Sequence, residues 1–416
     1  MIDRRGARTS RSAIGFFVAF GWSICAITLT ACTPESLEFA DWTIPVPEGT
    51  PIIEYEAVPM EDRTERIELV EDLAIAQRGD DPNYILYRPG HVVADSLGRI
   101  FVLDRGNYRI QVYDSEGEYL MTLGQQGQGP GEFSMMNGLA LAGDRLVAVD
   151  NRNARYTVFG AAGDLLATFS KDRMTGSVST LMGLDSGSVI AMRYLPPTEE
   201  ELSGPMISRL GLLRLSEEMA PLNEVIRFPV FREPMVSRGS GTNAFPMMAM
   251  SVSLPYPEHQ AVAAAGGEMY ATLTSEYQVF SFSANGQMIW ALRVPWRRAP
   301  IAEEEIEAEV AAIRSTPTWA DFVRSEYDWP ELRPAIDRIA VDGDGNVYIT
   351  IYPGPGEDES EQRMVDVYSP EGEHLFSGWI SSVYWRSARG DYVYTLESDG
   401  QTGDERVVRY RLVEPF

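Results

Sequence analysis

The stretch from Asp95 to Phe133, DSLGRIFVLDRGNYRIQVYDSEGEYLMTLGQQGQGPGEF, limits the folds open to this chain more than any other segment. Three short apolar runs, Ile100 to Leu103, Ile110 to Tyr113 and Tyr119 to Leu123, are separated by turn clusters at 104 to 107 and 114 to 117. Branched and aromatic residues suit a packed pleated surface, and Gly and Asn supply the positive φ that tight turns require. These runs therefore read as three strands of an antiparallel meander. The unit recurs in more blurred form. Strand candidates begin at Ile100, Leu146, Val189, Met269, Val347 and Tyr392, each after a short turn, with three intervals of about 45 residues and two of about 80. The short intervals match a four-stranded propeller blade, and the long ones a blade plus an insertion.

The sixth unit stops at Phe416, one strand short. Gly79 to Ile85 aligns with Gly127 to Phe133, which follows the last strand of a unit, so Ile67 to Ala76 is expected to be the outer strand of blade six. Closing the ring with chain from both ends leaves only short, protected edges. The fold class is thus all-β, a six-bladed propeller over residues 66–416, preceded by a Pro- and Glu-rich tether over 32–65.

The long connections, Tyr194 to Met206, Phe231 to Gln260 and Pro295 to Ile336, all fall on the face that carries the second-to-third-strand turns and the links between blades. Long loops in a compact domain are commonly functional. Within 295–336, between blades four and five, Ile306, Val310 and Ile313 recur at helical spacing behind Glu303, Glu304 and Glu305, which suit a helix N-terminus. The segment reads as a small helical insertion over Ala302 to Arg314, with a second short helix over Trp319 to Tyr327. Phe245 to Tyr256 carries three Met between Pro breaks and reads as loop packing or an apolar lid.

At the N-terminus, Arg4, Arg5, Arg8 and Arg11 precede an apolar run that ends in Leu29-Thr30-Ala31-Cys32. This is the form of an export signal over residues 1–31. The last four residues resemble a lipobox, which implies cleavage before Cys32 and acylation of that cysteine. Thr33 follows the Cys, and by resemblance to enterobacterial sorting the absence of Asp there implies the outer membrane. Cys25 falls in the leader, so the mature chain has no cysteine pair to form a disulfide. The formal charge of −26 excludes nucleic acid and anionic lipid surfaces as partners of the domain. A monomer is expected.

Asp104, Gly106, Asn107, Arg109, Ile110, Val112 and Tyr113 match the D-x-G-N-x-R-I-x-V-Y/F wording of an NHL-type blade. Gly127 to Phe133, GQGPGEF, resembles the blade-linking signature of a bacterial six-bladed propeller lipoprotein family. The resemblance implies an NHL/TolB-like propeller and little assigned chemistry. The function expected is a non-enzymatic envelope module that binds a protein, peptide or glycan, without cofactor. Arg105, Asn107, Arg152, Asn153 and Arg193, at or after second-strand ends on the insertion face, are the candidate ligand face.

The alternative is a calcium-dependent lactonase-type hydrolase or lyase. By resemblance to such propellers, Asp104, Asp150 and Glu397 at the channel mouth would be its metal ligands. Two Asp at one repeat position also serve simply as turn caps. Other chemistry finds no footing in the sequence. The three histidines, His91, His259 and His374, fall in different units, whereas a zinc site needs several converging. Asp342-Gly343-Asp344-Gly345-Asn346 imitates half of an EF-hand loop, but Pro353 stands where the closing Glu belongs, so it reads as a hairpin turn.

Overall fold

A computed structural model describes residues 39–171, 177–195, 209–228, 235–238, 245–248, 260–312, 329–355, 362–400 and 402–414. Two strands come first, β1 (Ile52–Glu54) and β2 (Glu65–Ile75). Blade one is β3 (Pro89–Ala94), β4 (Ile100–Asp104), β5 (Arg109–Tyr113) and β6 (Tyr119–Leu123); blade two is β7 (Met136–Ala142), β8 (Arg145–Asp150), β9 (Arg155–Phe159) and β10 (Leu165–Ser170). Blade three is β11 (Val178–Gly183), β12 (Val189–Leu195), β13 (Arg209–Leu215) and β14 (Pro221–Arg227), and a hairpin of β15 (Met235–Arg238) and β16 (Phe245–Met248) follows it. Blade four is β17 (Gln260–Ala265), β18 (Glu268–Leu273), β19 (Gln278–Ser283) and β20 (Met288–Arg293); helix α1 (Glu303–Ala312) comes next. Blade five is β21 (Ile336–Val341), β22 (Val347–Ile351), β23 (Gln362–Tyr368) and β24 (His374–Ser381), and blade six is β25 (Trp385–Arg389), β26 (Tyr392–Ser398) and β27 (Glu405–Val413), completed by β2.

Each blade is an antiparallel meander, and the innermost strands β3, β7, β11, β17, β21 and β25 neighbour one another in a closed ring. The chain is a six-bladed β-propeller. The expected closure by an N-terminal outer strand is observed: Glu68 to Ile75 pairs antiparallel with β27, Ile75 opposite Val407. Before that, Glu65 to Ile67 runs parallel to β24 of blade five, so one strand stitches two blades together.

The apolar side chains form six clusters, one between each pair of adjacent blades. A central strand is therefore covered on both faces, and β4 (Ile-Phe-Val-Leu-Asp) is buried at every position. This is why the middle strands read as continuous apolar runs rather than alternating ones.

Residues 39–64, expected to be part of a flexible tether, are instead strapped onto blades three to five. Ile44 is buried in the cluster between blades three and four, and Trp42 packs against Phe280 with ring centroids 5.7 Å apart. Thr43 donates from its backbone N–H and hydroxyl to Gln278 Oε1, both at 2.9 Å. β1 then adds to blade four in parallel with β20. Arg63 ends the strap, buried, with Nη1 2.6 Å and Nη2 3.2 Å from the two carboxylate oxygens of Asp366 in blade five.

Helix α1 forms where the spacing placed it, with Val310 buried and the Glu305 carboxylate accepting the Ala302 N–H at 2.9 Å. The strand pairing of Phe245–Met248 with β15 replaces part of the expected loop. The rest of that segment and the second helix expected over Trp319 to Tyr327 lie outside the described residues.

Candidate functional site

On the face bearing the insertions, blades one and two share one carboxylate arrangement. In blade one, Asp104 at the end of β4 is fully buried. Its Oδ1 accepts the Tyr87 N–H at 2.8 Å, and its Oδ2 accepts from Asn107 Nδ2 and Arg109 Nε, both at 2.8 Å. Arg109 continues to the carbonyls of Pro82 and Ile85, and Asn107 Nδ2 also donates to Ile85 O. Blade two repeats the pattern. Asp150 accepts from Ser134 N, Met135 N, Asn153 N and Asn153 Nδ2 at 2.6 to 3.1 Å, and Arg155 donates to the carbonyls of Gln128, Gly129 and Glu132. In blades one and two the Asp, Asn and Arg of the D-x-G-N-x-R wording are therefore a clamp that fastens the blade to the linker entering it.

The turn chemistry inside the clamp differs from expectation in one respect. Gly106 does not carry the positive φ. A Cβ there would stand 2.2 Å from the Tyr87 ring and 2.5 Å from the Tyr87 carbonyl, so close approach requires the glycine. The left-handed position falls on Tyr108, φ 58°, and on its counterpart Ala154, φ 48°.

The residues expected to read a ligand separate into three environments. Asn107 and Asn153 are engaged in the clamps. Arg105 and Arg152 are exposed on the insertion face. Arg193 is buried at 2% exposure in β12; its charge acts on the Tyr156 phenol of blade two, whose pKa burial pushes up to about 12. The alternative metal set is not assembled. Asp104 and Asp150 are clamp residues, and Glu397 accepts from Arg406 at 2.9 Å and from Tyr410 and Thr395 at 2.8 Å. Among the described residues no three His, Cys, Asp or Glu gather as a metal set. Asp342 caps its own hairpin, accepting from Asp344 N and Asn346 N at 2.9 and 2.8 Å. Cys32 lies outside the described residues.

Five of the six innermost strands carry a β-bulge near their first residue, which is the insertion-face end. The extra residues are Gly90, Asn137, Ser179, Asp337 and Arg386. A bulge re-aims side chains and bends the strand. At the seam between blades six and one, where β25 packs beside β3, the bulges at Arg386 and Gly90 adjoin; the Arg105 stem lies against Gly90, and the charges of both arginines act on His91. The His91 Nε2–H donates to the Asn137 carbonyl at 3.0 Å. Burial first, then the positive charges of Arg386 and Arg105, hold His91 down at about 4, so it is neutral at physiological pH. Arg386 and Arg338 both lie over the Tyr384 ring, 4.5 and 5.1 Å from its centroid, and Tyr384 is 53% exposed.

The opposite face is drawn together at the axis. Arg389 at the end of β25 in blade six reaches Asp185 in the first turn of blade three, three blades away around the ring, at 3.2 Å. A polar hollow of about 440 Å³ beside it is lined by Asp144, Arg145, Asp185 and Glu217. Arg386, Arg338 and Tyr384 were not singled out by sequence reasoning. The available signal was Tyr-Trp-Arg-Ser at 384–387, an arginine among aromatics at the head of an inner strand.

Among solved structures, a Bacteroides fragilis protein thought to be exported shares 11% identity, with 88% of this chain and 99% of that one covered and a TM-score of 0.47. A Bacteroides vulgatus member of the DUF4221 family shares 11% identity over 85% of this chain and 99% of that one, TM-score 0.49. Regucalcin of Agrobacterium tumefaciens, a calcium-binding protein, shares 9% over 87% and 97%, TM-score 0.36. Likenesses this distant carry nothing about function. No functionally curated protein matches the chain. Residues 86–188, which span blade one through the first turn of blade three, match the family model described as a 6-bladed beta-propeller, DUF5128.

Proposed function

We propose that this protein is a non-enzymatic binding module of the bacterial cell envelope, exported and held to the membrane by acylated Cys32, which recognises a protein, peptide or glycan through the insertion-bearing face of the propeller. The observation that carries this reading is the state of the carboxylates on that face. Asp104 and Asp150 are fully buried, with both oxygens of each occupied by backbone, Asn or Arg donors. A carboxylate so engaged lacks the free lone pairs needed to coordinate a metal or take a proton from a substrate. Exposed Arg105 and Arg152, and the long connections on the same face, suit recognition instead.

The test is a crosslinking capture from native envelopes with the full acylated chain and with a version whose residues 295–336 are replaced by a short turn. A partner retained by the first and lost from the second supports the reading. The purified domain is also expected to melt at one temperature with calcium or with chelator. A calcium-dependent rise in melting temperature would follow ligand excess over Kd and would revive the hydrolase alternative.

A further inference from the structure

We propose that the insertion-face end of the seam between blades six and one is a site for a small oxyanion, the phosphate or carboxylate group of a ligand, gripped by Arg386 and Arg105. This deepens the binding reading above and rests on it. The chain carries a formal charge of −26, and many arginines in the described residues are already neutralised; Arg63, Arg109, Arg293, Arg338 and Arg409 each face a carboxylate at 2.5 to 2.9 Å. Arg386 and Arg105 are exposed, and neither pairs with a carboxylate among the described residues.

They are also held in place. Arg386 occupies the bulge of β25 and rests on the Tyr384 ring. Arg338 shares that ring, but its charge is offset by Asp337 at 2.9 Å and its Nη1 is turned to Ser382 O at 3.2 Å. Arg105 lies across Gly90, with its Cδ 2.3 Å from where a Cβ would stand, so the glycine leaves room for the guanidinium stem beside His91.

Two uncompensated guanidiniums acting on one imidazole raise the local potential, and an anion between them relieves it. A guanidinium fork matches the geometry of carboxylate and phosphate oxygens. A donor beyond the arginines is at hand: the Ser387 hydroxyl, next to Arg386, is buried without a hydrogen-bond partner. With Nε2–H committed to the Asn137 carbonyl, His91 adds no charge of its own and reports on the charges beside it.

The three histidines make this measurable in the mature chain. Histidine NMR titrations with inorganic phosphate and with citrate distinguish the two oxyanions. Either is expected to move the His91 resonance saturably and to raise its pKa from about 4, because a bound anion offsets the arginine charges. Arg386→Gln and Arg105→Gln are each expected to weaken binding roughly tenfold or more, and Gly90→Ala to weaken it by displacing Arg105 without removing charge. Arg227→Gln, on the outer strand of blade three where Arg227 pairs with Glu224, should leave binding unchanged. Melting curves establish that each variant is folded.

The proposal is overturned if neither anion moves His91, or if the folded double variant Arg105→Gln/Arg386→Gln binds as tightly as the parent. Capture of a partner by a chain that binds neither anion would sink this site and leave the binding reading standing. Anion binding without any envelope partner would do the reverse.

Discussion

At the scale of single residues, Asp104 and Asp150 join blade to linker, and their cost of removal follows from what they leave behind. Asp104→Ala leaves the Tyr87 N–H without its acceptor and the half-buried Arg109 guanidinium without its counter-charge; Asp150→Ala leaves the Ser134, Met135 and Asn153 N–H groups without theirs. Each substitution is expected to lower unfolding free energy by about 3 kcal/mol or more, measured by urea denaturation. A change below about 0.5 kcal/mol would mean the clamp is dispensable. These positions were legible from the spacing of D-x-G-N-x-R, and capping of backbone amides was one of the two roles the sequence offered; their partners in the incoming linker were not legible. The same carboxylate chemistry caps amides or coordinates a cation, and the choice depends on donors about 15 residues upstream that the motif does not contain.

Among the elements, the strap over 39–64 departs furthest from expectation. Its composition is that of a linker, and its anchors Trp42, Ile44, Tyr55 and Arg63 follow no helical or strand period because each meets a remote partner; Thr43 and Gln278 are 235 residues apart. Arg63 is the one charged anchor among these four. Asp366, its partner, also accepts from the Tyr277 hydroxyl at 2.7 Å, and burial followed by the Asp366 charge raises the Tyr277 pKa well above its ordinary value. Arg63→Met leaves Asp366 buried and unpaired, and a loss of about 3–5 kcal/mol is expected in chemical denaturation. Adding Asp366→Leu should recover most of it. If the double variant is no better than the single one, the anchor is shape rather than charge. Helix α1, by contrast, was legible because its apolar spacing and acidic first turn are properties of neighbouring residues.

For the whole molecule, stability is distributed over six inter-blade clusters, and none survives with only one of its two blades. β2 matters beyond its length, since Ile67 packs between blades five and six and Ile75 between blades six and one. A chain lacking everything through Ile75 is expected to lose its single cooperative unfolding transition, observed as non-coincident fluorescence and circular dichroism curves. Moving the same segment to follow Phe416, with the chain opened between Gln77 and Asp81, should restore one transition. A truncated chain that still unfolds in one coincident step would show that closure is not what couples the blades.

Blade count, turn positions, the closing strand and α1 were written in the sequence, because apolar runs, turn residues and repeat spacing act over a few neighbouring positions. The strap, the clamps and the bulged ring of inner strands were decided by the tertiary structure. A bulge exists only relative to the strand it faces, so Gly90, Asn137, Ser179, Asp337 and Arg386 share no local signature. Arg105 and Arg386 stand at opposite ends of the repeat and meet beside His91 only because the ring closes there, at the seam where blade six returns to blade one.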